Sequence, residues 1–121
     1  MKILIADDEE ILRELLKETL TKEGYNVITA SDGKELIKLA LEDKPDLIIT
    51  DIQMPNISGD TVIAMIEEYE DLSQIPFIII TGLSETTFKQ LGVSRSIEVV
   101  TKPIDLEKLK FLISKYKQQK K

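Results

Sequence analysis

A chain of 121 residues with no cysteine and no histidine has no disulfides, zinc thiolate sites, thiol nucleophiles or imidazole bases, so its chemistry must come from carboxylates, hydroxyls and amines. The length suits one domain, and 42% hydrophobic with 31% charged residues is the balance of a globular protein with a core, not of a disordered or membrane-spanning one. A net charge of -6 argues against direct binding to nucleic acid or an anionic membrane, and Lys115, Lys117, Lys120 and Lys121 read as a solvated helix end that complements the helix dipole.

In chain order, Lys2 to Ala6 is an apolar run that reads as a strand. It is stopped at once by Asp7-Asp8-Glu9-Glu10, which fits neither a signal peptide nor a membrane span and points to a cytoplasmic location. Ile11, Leu12, Leu15, Leu16 and Leu20 recur at helical spacing, and Gly24 closes that helix. A second strand is expected over Asn26 to Thr29. Asp32 followed by Glu35 resembles a capping box ahead of a helix carrying Leu36, Ile37, Ala40 and Leu41. Asp46 to Thr50 is a third strand, followed by a helix marked by Val62, Ile63, Ile66 and Tyr69. Phe77 to Ile80 is a fourth strand, Ser84 starts a short helix over Glu85 to Leu91, and Gly92 to Ser96 is irregular. Ile97 to Thr101 is the fifth strand, and Asp105 precedes a last helix with Leu106, Leu109, Ile113 and Tyr116. Five β-α repeats with continuous apolar strands predict a doubly wound α/β domain, (βα)5, whose five-stranded parallel sheet has the flavodoxin-like order 2-1-3-4-5. No linker or low-complexity stretch interrupts residues 1–121, so a single domain is expected.

In an open parallel sheet the ligand site lies beyond the carboxyl ends of the strands. The first strand ends in Asp7-Asp8, the third in Asp51, the fourth in Thr81 and the fifth in Lys102. Taken singly, Asp8 could cap a helix, Asp51 could form a side-chain turn ahead of Pro55, and Thr81 and Lys102 could be turn or solvated residues. Independent caps and turns have no reason to supply complementary charges to one sheet edge. Asp7, Asp8 and Asp51 together repel one another unless a proton or cation intervenes. An all-oxygen donor set with few carboxylates suits magnesium better than calcium, with manganese able to substitute. With Lys102 adding a second positive charge and Thr81 a hydroxyl, the edge suits a transferred phosphoryl group.

These residues bring a family into view. Through Ile3-Leu4-Ile5-Ala6-Asp7-Asp8-Glu9, Asp46 to Pro55 with Gly59, Ile78-Ile79-Ile80-Thr81-Gly82 and Thr101-Lys102-Pro103, the chain resembles the receiver domain of two-component response regulators over its whole length. The resemblance implies that Asp51 is phosphorylated by the phosphohistidine of a sensor histidine kinase or histidine phosphotransfer protein. It implies magnesium contacted by Asp8, Asp51 and the backbone carbonyl of Gln53, with Asp7 acting largely through water. Thr81 and Lys102 would hold phosphoryl oxygens, and the Lys102-Pro103 bond would be cis. It further implies a module that catalyses only its own phosphorylation and dephosphorylation, as a monomer or weak phosphorylation-dependent dimer, and that addresses a downstream protein. Standing alone, the chain shows no output domain.

Two departures from the family pattern bear on readout. Val99 stands where an aromatic switch residue is usual, and Gly92-Val93 replaces the usual Gly-Ala pair. Coupling is therefore expected mainly through Thr81-Gly82-Leu83, with Gln53 and Leu83 flanking the path of hydrolytic water. Rival readings are an unphosphorylated receiver used only for interaction and an aspartate-nucleophile phosphatase. The phosphatase would want a second acid two residues after Asp51, where Gln53 stands. A flavodoxin-like cofactor binder would need a phosphate-cradling loop where Asp7 to Glu10 stand.

Overall fold

The computed structural model describes residues 1–51, 53, 59–70, 72–82 and 98–119. In chain order these form β1 (Lys2–Ala6), α1 (Glu10–Lys22), β2 (Asn26–Ala30), α2 (Gly33–Asp43), β3 (Leu47–Asp51), α3 (Gly59–Glu67), β4 (Phe77–Thr81), β5 (Glu98–Thr101) and α4 (Leu106–Gln119). The helix expected over Glu85 to Leu91 lies outside the described residues. The strands form one parallel sheet in the order β2-β1-β3-β4-β5, as expected. Strand ends differ by a residue: β2, β3 and β4 run on to Ala30, Asp51 and Thr81. Ladder bonds to neighbouring strands set these ends, and apolar patterning does not report them.

Alternation along each strand divides the core between two faces. Ile3, Ile5, Leu47, Ile49, Ile78, Ile80 and Val100 pack with Leu16 and Leu20 of α1 and Leu109, Leu112 and Ile113 of α4. Leu4, Ala6, Ile48, Phe77 and Ile79 pack on the other face with Leu36 and Ala40 of α2 and Val62, Ile63 and Ile66 of α3. Covering both faces explains the unbroken apolar runs of β1, β3 and β4. Burial of each such Ile or Leu contributes about 1.5–3 kcal/mol, enough to hold the strand ends in register.

The helix faces are narrower than their apolar content. Leu12, Leu16 and Leu20 form the inward stripe of α1, whereas Ile11 is 87% exposed and Leu15 46%. Those two lie about 100° round the helix from the stripe. Tyr69 falls beyond the end of α3 and is largely exposed.

Local signals fix several ends. Asp32 Oδ1 accepts from Glu35 N–H at 2.8 Å, but Glu35 Oε1 returns its bond to Ser31 N–H, one residue earlier than in a standard capping box. Asp105 caps α4, accepting from Glu107 and Lys108 N–H. After α1, Gly24 N–H donates to Thr21 O and Tyr25 N–H to Leu20 O, the paired bonds of a Schellman end. Gly24 sits at φ +93 with nothing within 4 Å of an added Cβ. Gly24→Ala is therefore opposed by backbone conformation alone, and urea unfolding should show a loss of about 1 kcal/mol at unchanged m-value.

Candidate functional site

The carboxyl edge of the sheet gathers the charged residues. Asp7 follows β1, and its N–H donates to Ala30 O at 3.2 Å, extending the β1–β2 ladder by one step. Asp7 Oδ1 accepts from Glu9 N–H at 2.8 Å. Arg13 of α1 donates from Nη1 to Asp7 O at 2.8 Å, so a side chain one turn into the helix braces the loop. Glu9, not Asp8, flanks the helix start, and it makes no side-chain cap bond. Asp8 is exposed, and the reading of it as a helix cap falls.

Asp51 ends β3, 4% exposed. Its Oδ1 accepts from Gln53 N–H at 2.9 Å, so the side-chain turn is real. The other oxygen, Oδ2, accepts from Lys102 Nζ at 2.9 Å. A local turn and a long-range charge contact thus share one carboxylate, so the side-chain turn does not keep Asp51 from facing Lys102. Lys102 Nζ also donates to Glu9 Oε1 at 3.1 Å and stands 3.5 Å from Asp7 Oδ2. The peptide bond from Lys102 to Pro103 is cis.

Carboxylate oxygens of Asp7, Asp8 and Asp51 lie within 4.8 Å of one another. Asp7 is 1% exposed, and its Oδ2 is buried with no hydrogen-bond partner among the described residues. Burial raises its carboxyl above the usual carboxylate range. The Glu9 N–H and Lys102 pull it back, and Asp51 and Glu9 add to the rise. Burial pulls the Lys102 ammonium down, but its bonds to Asp51 and Glu9 and the charges of Asp51 and Asp7 outweigh that and raise it above its ordinary value. Lys102 therefore stays charged at neutral pH. An orphaned buried oxygen among three clustered carboxylates, with only oxygen donors, fits a hard divalent cation.

The sign at Asp7 is testable. A raised carboxyl binds its proton more tightly in the folded chain, so the stability from this group is present at low pH and lost as pH rises through the folded value. Asp7→Asn removes that loss together with the cost of burying a carboxylate oxygen that accepts no hydrogen bond. Without divalent metal it should be more stable than wild type by about 1–3 kcal/mol at neutral pH. The gain should vanish below the ordinary carboxylate value of about 3.9, as urea unfolding across pH would register.

Thr81 reaches the edge differently. It is fully buried at the end of β4, and its carbonyl accepts from Lys102 N–H at 2.8 Å. By alternation it shares the face of Ile79, which pairs with Val99, and Val99 packs half-buried against that same core cluster. The structure thus joins Asp7, Asp8, Asp51 and Lys102 through side chains, and Thr81 through the backbone. The backbone N–H of Gln53 binds Asp51, while Leu83 lies outside the described residues. Glu9 and Arg13 are the neighbours that sequence reasoning did not single out. Their one signal was position: directly after the acid pair, and one helical turn later.

A doubly wound sheet of this order, with acids and an ammonium where a nucleotide or flavin binder would cradle phosphate, marks a receiver-type signalling module. Comparison with known proteins gives the family: the sequence matches the response regulator receiver domain over residues 3–114, and the chain belongs to it. PhoP of Bacillus subtilis, the alkaline phosphatase synthesis transcriptional regulatory protein, is 39% identical over 103 residues, 84% of this chain and 42% of PhoP. Response regulator RR06 of Streptococcus pneumoniae is 40% identical over 122 residues, 96% of this chain and 54% of RR06. The chain spans about half the length of these curated relatives. Among solved structures, response regulator TrrA from Thermotoga maritima, in complex with Mg(2+)-BeF, superposes with a TM-score of 0.80 at 35% identity, covering 95% of this chain and 97% of TrrA. No described helix is long and apolar enough to cross a membrane.

Proposed function

We propose that Asp51 accepts a phosphoryl group from a histidine kinase or histidine phosphotransfer protein in a magnesium-dependent reaction. On this reading residues 1–121 act as one cytoplasmic receiver domain that switches the binding of a downstream protein. The observation that carries it is the double hold on the Asp51 carboxylate, by Gln53 N–H on one oxygen and Lys102 Nζ on the other, each at 2.9 Å. A carboxylate so held, at the rim of a buried acid cluster, is oriented for attack and screened from its like-charged neighbours.

In the transfer an Asp51 oxygen forms a bond to phosphorus. The phosphorus–nitrogen bond of the donor phosphohistidine breaks, and its electron pair stays on the imidazole nitrogen. Asp7, Asp8, Asp51 and the Gln53 carbonyl would hold magnesium, or manganese in its place. When bound, the ion supplies positive charge against the phosphoryl oxygens. Lys102 exchanges a carboxylate oxygen for a phosphoryl oxygen, and Thr81 offers its hydroxyl to another. Because Lys102 N–H is bonded to Thr81 O, movement at either residue is passed to the other, which supports a readout through the end of β4 even with Val99 in β5. Gln53 in place of an acid leaves external phosphate esters without a proton donor, which disfavours phosphatase turnover. Acetyl phosphate should label the wild-type chain only with magnesium present, and Asp51→Asn not at all.

A further inference from the structure

Among the described residues Lys102 has two hydrogen-bonded carboxylate partners, and of these Asp51 alone belongs to the transfer proposed above. The other, Glu9, accepts from the same Nζ at 3.1 Å with its side chain 59% exposed. Asp7 makes neither bond, standing 3.5 Å from the nitrogen. Glu9 therefore draws the ammonium toward solvent, and its negative charge offsets part of the lysine's. A phosphoryl group arriving at Asp51 needs that ammonium and is itself an anion, so it meets a competitor for Lys102 and a like charge in one side chain. A divalent cation beside Asp7, Asp8 and Asp51 meets the opposite: Glu9 attracts it and blunts the repulsion from Lys102.

Resting on the reading of Asp51 as phosphoacceptor, we infer that Glu9 is a positioning residue that holds Lys102 in its resting place, favouring the metal-bound, unphosphorylated state and opposing the phosphorylated one. Its contribution is that of a half-exposed charge, so the effects are modest and opposite in sign for the two ligands.

NMR titrations of the full chain with magnesium alone, and with beryllofluoride as phosphoryl analogue at saturating magnesium, test this. Glu9→Gln should bind magnesium about two- to fivefold more weakly and beryllofluoride about two- to fivefold more tightly. Glu9→Asp keeps the charge but is a methylene too short for the bond to Lys102. It should leave magnesium affinity near wild type and still tighten beryllofluoride. Affinities that move in the same direction, or do not move, overturn the role of Glu9, because general loosening of the loop after β1 weakens both ligands together. A wild-type chain that binds magnesium but no beryllofluoride overturns the phosphoacceptor reading itself, and the role of Glu9 with it.

Discussion

Asp51→Asn is expected to abolish magnesium-dependent labelling by acetyl phosphate while leaving the chain folded. The substituted amide keeps a carbonyl oxygen where Oδ1 accepts from Gln53 N–H, so the turn after β3 survives. The cost is at Oδ2, where an NH2 group would face the donors of Lys102 instead of accepting from them. Removal of one like charge from beside Asp7 and Asp8 offsets that loss, so the net change should stay within about 1 kcal/mol. Chemistry is lost outright because an amide is no nucleophile toward phosphorus at neutral pH. Intact-mass measurement should show one added phosphoryl group on wild type with magnesium, and none on the variant. Labelling that persists in Asp51→Asn would move the acceptor elsewhere. No labelling of the wild type would favour the interaction-only receiver.

Lys102→Ala should give the largest change in stability and make stability depend on metal. It strips the ammonium from Asp51, Glu9 and Asp7 at once. Removing one partner of a buried ion pair costs about 3–5 kcal/mol, and the 20% exposure of the Lys102 side chain reduces the expectation to about 2–3 kcal/mol. The carboxylates left behind attract a divalent cation more strongly, with no ammonium to compete. Magnesium at a hundred times the variant's Kd stabilises the variant by about 2.7 kcal/mol, and because wild type binds the ion more weakly and gains less, the deficit in urea unfolding should shrink as magnesium is added. A deficit insensitive to magnesium would argue against a cation site among Asp7, Asp8 and Asp51. The pH dependence has a definite sign. Lys102 is raised in the folded chain, so its stabilisation is fully present below the ordinary lysine value of about 10.4 and is lost only as pH climbs through the folded value. The gap between wild type and Lys102→Ala should therefore be flat through the neutral range, narrowing in strong alkali as Lys102 loses its proton and in acid as its carboxylate partners gain theirs.

The layout of the sheet could be read from residue type because β1, β3 and β4 are buried on both faces, which leaves runs such as Leu47-Ile48-Ile49 with no polar break until the chain reaches the site. Helix starts at Asp32 and Asp105 were equally readable, since a cap is a bond within a few residues. Legibility fell where the partner was remote. Ile11 carries the spacing of a core residue yet faces solvent, because the stripe that α1 buries is chosen by the sheet and α4. Asp8 looked like a cap, but the loop after β1 is instead closed by Asp7 and braced by Arg13.

By itself the sequence determined the parallel α/β order, the delivery of Asp7, Asp8, Asp51, Thr81 and Lys102 to one edge of the sheet, and the hardness of any ion held there. All of these follow from strand alternation and from the donor atoms the chain possesses. Tertiary structure alone decided which atoms meet: that Lys102 divides its ammonium between Asp51 and Glu9, that one oxygen of Asp7 is buried without a hydrogen bond, and that Thr81 is tied to Lys102 through the backbone. The physical reason is distance along the chain. Glu9 and Lys102 are 93 residues apart, and only the closing of β5 against β4 brings an ammonium to a carboxylate that no local pattern pairs with it.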